Sequence, residues 1–411
     1  MSRLEELIQE LCPDGVEYKT LGEIAVDIYR GAGITRDQVT ETGIPCVRYG
    51  EIYTTYGVWF EKCISHTDED NITSKKYFEY GDILFAITGE SVEEIAKSCA
   101  YVGHEKCLAG GDIVVLKHNQ NPKYLAYALS TTEAQKQKSQ GKVKSKVVHS
   151  SVPAIKNIQV PVPPLPVQSE IVQILDNFTE LTAELTAELT ARKKQYGYYR
   201  DQLLSFENNI EKCSLGDIAA VTKLAGFEFT KYVNYSDEGQ IIALRGLNVK
   251  NGILDLKDVK YIDNSDLTKL TRSKLHKGDM LFTYVGTIGQ VALIDEEDKY
   301  YLAPNVALIR SNKEVLLPEY MRYYFQSSQF WDKQINRLLQ SSSMQNIPME
   351  KIRRFEIYVP SLEVQQHIVN VLDNFDAICS DLTSGLPAEI EARQKQYEYY
   401  RDKLLSFSEM L

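Results

Sequence analysis

The chain has 411 residues, 43% hydrophobic and 25% charged, which is material for two to three domains of about 100–200 residues each. Its formal net charge of −11 argues against a surface that is basic throughout, so any nucleic-acid contact must come from a local patch, and no apolar run reaches the ~18 residues of a membrane span. Seven scattered cysteines (12, 46, 63, 99, 107, 213 and 379) include no Cys-x-x-Cys pair; they read as reduced thiols of a cytoplasmic protein rather than a disulfide frame or zinc site.

In chain order, "MSRLEELIQELCPDG" is an acidic amphipathic start without the regions of a signal peptide. "PDGVEYK" imitates a nuclease signature through Asp14, Glu17 and Lys19, but its acids stand too close in sequence for a hairpin to bring both onto one metal. From about residue 20 to 160, short apolar runs alternate with turn signals, and "GDILFAI" is a strand run opened by a Gly-Asp turn. A helical patch at Lys123–Thr132 precedes "KQKSQGKVKSKVVHSS" (136–151), where Lys136, Lys138, Lys142, Lys144 and Lys146 surround Gly141 with no acid between them. Those lysines, with His149, Lys75 and Lys76, are the candidate DNA contacts of this half, since lysine suits phosphate.

After "VPPLP", apolar residues recur at helical spacing: Ile171, Leu175, Phe178, Leu181, Leu185, Leu189, Tyr196, Tyr199, Leu203 and Phe206. Inside this run "ELTA" is written three times (180–191), and each copy adds nearly one turn to a rod. The Glu180, Glu184, Glu188 stripe reads as a solvated face, with Glu188 able to pair with Arg192. From about 215 to 358 the pattern of strands and a helix (Leu317–Phe330) returns, with "GDMLFTYV" as its strand run. Its candidate contacts are Arg245, Arg272, Lys274 and, in "NRLLQSSSMQN", Arg337, Gln340, Gln345 and Asn346; amides and guanidinium suit adenine and guanine edges. A second rod follows "VPSLE", with Ile368, Leu372, Phe375, Ile378, Leu382, Leu386, Ile390 and Tyr397 as its stripe and a joint predicted at Gly385 and Pro387.

The chain is therefore written twice. "VPPLPVQSEIVQILDNF" (162–178) matches "VPSLEVQQHIVNVLDNF" (359–375), and "ARKKQYGYYRDQLLSF" (191–206) matches "ARQKQYEYYRDKLLSF" (392–407). "TLGEIA" answers "SLGDIA", "YGDILF" answers "KGDMLF", and "CLAGGD" answers "YLAPNV". The helices do one job twice, while the dissimilar globular parts do different jobs. The division is 1–160, first globular domain; 161–210, first long spacer helix; 211–358, second globular domain; and 359–411, second helical region. The fold class is α+β, two globular domains separated by two long antiparallel coiled-coil helices in a pseudo-twofold repeat, with Leu181, Leu185, Leu189, Tyr196, Ile378, Leu382, Ile390 and Tyr397 on the seam.

No glycine-rich cofactor loop, P-loop or His-Glu-x-x-His is present, and "NPKY" (121–124) lacks the second proline of an amino-methyltransferase motif. The reading is a chain without a catalytic centre or cofactor of its own. A self-contained DNA-modifying enzyme is disfavoured by the missing loop. A coiled-coil scaffold for two proteins without DNA is favoured by the net charge and opposed by the lysine cluster.

The duplicated rods, "GDILF/GDMLF" with "GTIGQVALI" (286–294), and the "ELTA" tandem resemble the specificity subunits of type I restriction-modification enzymes over essentially the whole chain. The resemblance implies two target-recognition domains, each reading one half of a split double-stranded DNA site. It implies two methyltransferase subunits as partners, using S-adenosylmethionine to methylate adenine, and two motor subunits using ATP and magnesium to cut DNA. It implies no catalysis, no membrane and a cytoplasmic location. In half one "TGESVEEIAKSCAYVG" (88–103) replaces the short turn of the pattern.

Overall fold

The computed structural model describes residues 2–142, 147–206, 210–224, 229, 231–340, 346–381 and 384–409. Two compact units are formed, Met1–Leu185 with Ile390–Leu411, and Thr186–Glu389. The division cuts across the four-part reading of the sequence, because the first long helix, Leu165–Leu203, gives its opening half to one unit and its closing half to the other.

In the first unit a five-stranded sheet runs in the order Ala25–Arg30, Ile113–His118, Ile83–Ala86, Ser98–Tyr101, Trp59–Phe60. The unbroken apolar run at Ile83–Ala86 is explained by burial of both faces. Ile83 and Phe85, with Val114 and Leu116, face Tyr124, Leu125 and the helix residues Ile171 and Leu175. Leu84 and Ala86, with Ile113 and Val115, face Phe60, Phe78 and Tyr101. A second five-stranded sheet continues from that side, ordered Val39–Thr40, Ser65–Thr67, Ile44–Val47, Cys107–Ala109, Tyr77–Phe78.

The second unit repeats the scheme with sheets ordered Ala219–Lys223, Val306–Ser311, Met280–Thr283, Val291–Leu293 and Lys260–Tyr261, Ile242–Leu244, Tyr300–Leu302. Met280, Phe282, Ala307 and Ile309 join one core, and Leu281, Val306 and Leu308 join the other. The Gly-Asp turns that open the central strands are built alike. Gly81 and Gly278 take φ of +94° and +89°, a region glycine enters without penalty. Buried Asp82 accepts from Glu79 N–H (2.9 Å) and Lys117 Nζ (2.9 Å). Buried Asp279 accepts from His276 N–H (2.8 Å) and, bidentately, from Arg310 (2.7 and 2.6 Å).

Each rod begins with a fully buried glutamine. Gln168 accepts from Asn121 N–H (3.0 Å) and donates to Gln120 Oε1 (2.8 Å) and Pro163 O (2.7 Å). Gln365 accepts from Leu317 N–H (2.9 Å) and donates to Val315 O and Pro360 O (both 2.8 Å). Further along each rod, Asp176 takes the hydroxyl of Tyr127 (2.7 Å) and Asp373 that of Tyr323 (2.6 Å).

The rod ends dock by a second repeated set. In the first unit, Asp402 accepts from Thr132 N–H (3.3 Å) and Oγ1 (2.6 Å), and Tyr400 stacks on Phe178 at 5.5 Å. In the second unit, Asp201 accepts from Ser328 N–H (2.9 Å) and Oγ (2.6 Å), and Tyr199 stacks on Phe375 at 5.6 Å. Each unit therefore binds the start of the helix that follows its own domain and the end of the helix from the other repeat. One helix sequence must satisfy both kinds of groove, which accounts for rods more alike than the domains.

The rods differ as expected: Leu165–Leu203 is continuous, whereas Leu362–Ser380 and Leu386–Leu404 are separate helices. A Cβ on Gly385 would stand 2.6 Å from Ala377 O, so the joint needs glycine. Glu188 does pair with Arg192, at 3.4 Å. The stripe requires correction. Tyr397 is buried and Tyr196, Leu185, Leu189 and Ile390 are half-buried, but Leu181 is 36% and Ile378 44% exposed; Leu382 lies outside the described residues. The covered position after Phe375 is Cys379, one full turn on, because 3.6 residues per turn carries the stripe off the three-residue step.

Candidate nucleic-acid interface

In both units the chain leaving the central strand meets the segment returning towards a rod. Thr88–Gly89 pairs with Val148–His149, and Ser150 N–H donates to Ile87 O (2.8 Å). In the second unit Val285 bridges Asn346, and Ile347 N–H donates to Tyr284 O (2.9 Å). His149 and Asn346, both predicted contacts, thus occupy equivalent exposed positions; His149 Nδ1 lies 3.2 Å from Thr88 Oγ1.

Beside each of these meeting points lies an open cleft, of about 770 Å³ in the first unit and about 800 Å³ in the second. The walls are equivalent. Arg48 opens the helix Tyr49–Thr54 and its N–H is bonded to Glu51 Oε2 (3.1 Å); Arg245 opens the 3-10 turn Gly246–Asn248 and its N–H is bonded to Asn248 Oδ1 (3.0 Å). The turn Gly110–Asp112 lines one cleft, and the equivalent turn Ala303–Asn305 lines the other.

The linings differ chemically. In the first cleft, Arg48 is held by buried Glu51 (3.0 Å), which also accepts from Ser65 Oγ (2.7 Å), and Arg36, Tyr49 and Asp112 complete the polar set. The second cleft has no acidic residue in its lining. It holds Arg245, Lys250, Asn251, Gln290 and Asn305, an amide-rich lining in which Lys250 is paired with Asp255 (2.7 Å). Arg245 is anchored from outside the cleft by Asp258 (Oδ1 at 2.9 Å, O at 3.0 Å).

The lysine-rich segment is not the loop expected. Helix Thr132–Ser139 runs through its start, capped by Thr131 and Asp402. Lys138 points inward, 4% exposed, donating to Ser98 Oγ (3.1 Å) and Leu129 O (2.7 Å), and burial pushes its pKa down to about 7. It is a core residue and not a DNA contact, which corrects the expectation. Lys136 is exposed beside Glu133 (3.6 Å), and Lys142 is half-buried; Lys144 and Lys146 lie outside the described residues.

Lys75 pairs with Glu69 (3.4 Å), Lys76 lies over the Tyr29 ring (5.8 Å), and Lys274 pairs with Asp298. Arg272 and Arg337 are not buried; Gln345 and the side chain of Gln340 lie outside the described residues. Of these, the clefts hold only Arg245 in their linings. Sequence reading missed Arg36, Arg48, Tyr49, Asn251, Gln290 and Asn305. The repeat offset that aligns the rods also lays "RYGE" over "RGLN", and that signal would have paired Arg48 with Arg245.

Among the described residues no group of three or more His, Cys, Asp or Glu is placed to hold a metal, and no helix is long and apolar enough to cross a membrane.

Against known families, the chain matches the type I restriction modification DNA specificity domain twice, over residues 13–192 and 207–392. The specificity subunit of the Escherichia coli type I restriction enzyme EcoR124I/EcoR124II is 34% identical over 265 residues, 61% of this chain and 63% of that one. S.HindORF215P of Haemophilus influenzae is 33% identical over 278 residues, 65% of this chain and 68% of that one. A chain solved to explain complex assembly and conformational transition in a type I restriction-modification system is similar with a TM-score of 0.65 at 14% identity, covering 96% of this chain and 98% of that one. The crystal structure of the type I S subunit from M. genitalium gives a TM-score of 0.50 at 14% identity, with 95% and 96% covered. At such identity the likeness is one of fold: two recognition-type domains joined by long helices.

Proposed function

The chain belongs to the DNA specificity subunits of type I restriction-modification systems, and from that membership we propose how it divides its work. Its role is DNA sequence specificity within such a complex. Each unit reads one half of a bipartite site in double-stranded DNA, in the cytoplasm where that DNA lies. The rods run antiparallel, fix the unread gap, and dock two adenine methyltransferase subunits; two motor subunits complete the nuclease. Catalysis, S-adenosylmethionine and ATP belong to those partners.

The observation that carries this reading is the doubled cleft, with the same backbone positions in both units and different side chains upon them. Two equivalent supports with unlike chemistry are what a reader of two unlike half-sites requires.

The "ELTA" units fall where the continuous helix passes from one unit to the other. Deleting Glu184–Ala187 removes four residues of rise, ~6 Å, equivalent to one or two base pairs at ~3.4 Å each. The test expresses the chain with its methyltransferase in a methylation-free host and maps methylated adenines. The intact chain gives one bipartite motif, and the deletion shortens its gap while both half-sites persist. An uninterrupted motif, or altered half-sites with the gap unchanged, overturns the proposal.

A further inference from the structure

We infer that the acid-free cleft of the second unit reads an adenine of its half-site through the amide of Asn305, with Gln290 as the neighbouring donor. This rests on the DNA-reading role proposed above and assigns it to particular atoms.

Asn305 is exposed at the apex of the turn between strands Tyr300–Leu302 and Val306–Ser311, with φ of +71°. That left-handed backbone lifts the side chain off the sheet edge, and both strands beside it are buried, so the turn is held rigidly from beneath. Across the cleft, Gln290 accepts Asn251 N–H on its Oε1 (3.0 Å), which orients the carboxamide and leaves its NH₂ as a donor. Asn251 stands in the same left-handed region, φ +50°, so two turns present amides at one opening. A planar carboxamide offers one donor and one acceptor side by side, the complement of adenine N6 and N7 in the major groove. Arg245 and Lys250 stand on the same wall, each held by a carboxylate from outside the lining, Asp258 at 2.9 Å and Asp255 at 2.7 Å.

The first unit supplies the internal contrast. The residue equivalent to Asn305 is Asp112: Gly110 N–H donates to Val47 O as Ala303 N–H does to Leu244 O, and strands Ile113–His118 and Val306–Ser311 follow in matching register. The Asp112 carboxylate is held by Arg30 Nη2 (2.5 Å). The same support carries a carboxamide in one half and an arginine-paired carboxylate, which can only accept, in the other. The half-sites must then differ in the base read at this place.

The informative variant is Asn305→Gly, which keeps the left-handed backbone and removes the amide; Asn305→Ala would confound the result with strain. The variant chain is assembled with its methyltransferase, and methylated adenines are mapped beside those of the wild type. Expected is relaxation at one position of one half-site, discrimination there falling roughly 5- to 150-fold, with the other half-site and the gap unchanged. Gln290→Ala should relax the same half-site and not the other. An unchanged motif, or a uniform fall in methylation without relaxation, overturns the inference. A bipartite wild-type motif retained by Asn305→Gly sinks this assignment alone, whereas a wild type lacking any bipartite motif sinks the proposed function as well.

Discussion

Replacing Lys138 by Met should reverse its effect on stability between pH 7 and pH 10. The ammonium is 4% exposed and has only neutral partners, Ser98 Oγ and Leu129 O. Burial lowers its pKa in the folded chain to about 7, against about 10.5 when unfolded. Below pH 7 both states carry the proton, and the desolvation penalty on the folded state is complete. Between pH 7 and 10.5 the unfolded chain binds more protons than the folded one, so wild-type stability rises with pH. At about 1.4 kcal/mol per pH unit, the penalty is on the order of 4 kcal/mol at pH 7 and roughly 1 kcal/mol at pH 10. Methionine fills the space without titrating, and its cost is the two lost hydrogen bonds, roughly 1–3 kcal/mol together. The variant should be about 2 kcal/mol more stable than wild type at pH 7 and less stable at pH 10. Urea unfolding followed through alkylation of Cys99, which is fully buried in the same unit, reports the relevant transition. A stability difference that stays constant from pH 7 to 10 refutes the reasoning.

Gln168→Ala and Gln365→Ala should each cost roughly 2–4 kcal/mol, and by similar amounts, because each strands a buried N–H and its neighbours; urea unfolding measures both. Asp402→Ala should speed amide exchange at residues 132–139 and Asp201→Ala at residues 328–335, each by about 1 kcal/mol and neither in the other unit. Gly385→Ala should destabilise by roughly 1–3 kcal/mol in calorimetry, since the added methyl meets three carbonyl oxygens, of Ala377, Asp381 and Ile378.

Several features are legible in the amino-acid sequence because they are local or repeated. The Gly-Asp turns need only a glycine at positive φ and an acid to accept the turn's N–H groups. The rods, the joint at Gly385 and the Glu188–Arg192 pair follow from helical spacing and backbone sterics. The internal duplication also carries the two-domain plan and the family resemblance. The lysine cluster misleads for an equally physical reason. A run of basic residues gives charge density along the chain but not the direction of each side chain, and the turn that Thr131 and Asp402 cap sends Lys138 inward.

What the sequence determined by itself was the doubling and the periodicity, because both are written in the spacing of residues near one another in the chain. Only the tertiary structure decided which rod end meets which domain, and that Arg48 with Asp112 and Arg245 with Asn305 line equivalent clefts. Those contacts join residues some 60 to 270 positions apart. They are fixed by burial of both faces of a central strand and by satisfaction of buried polar groups, conditions that no single stretch of sequence expresses.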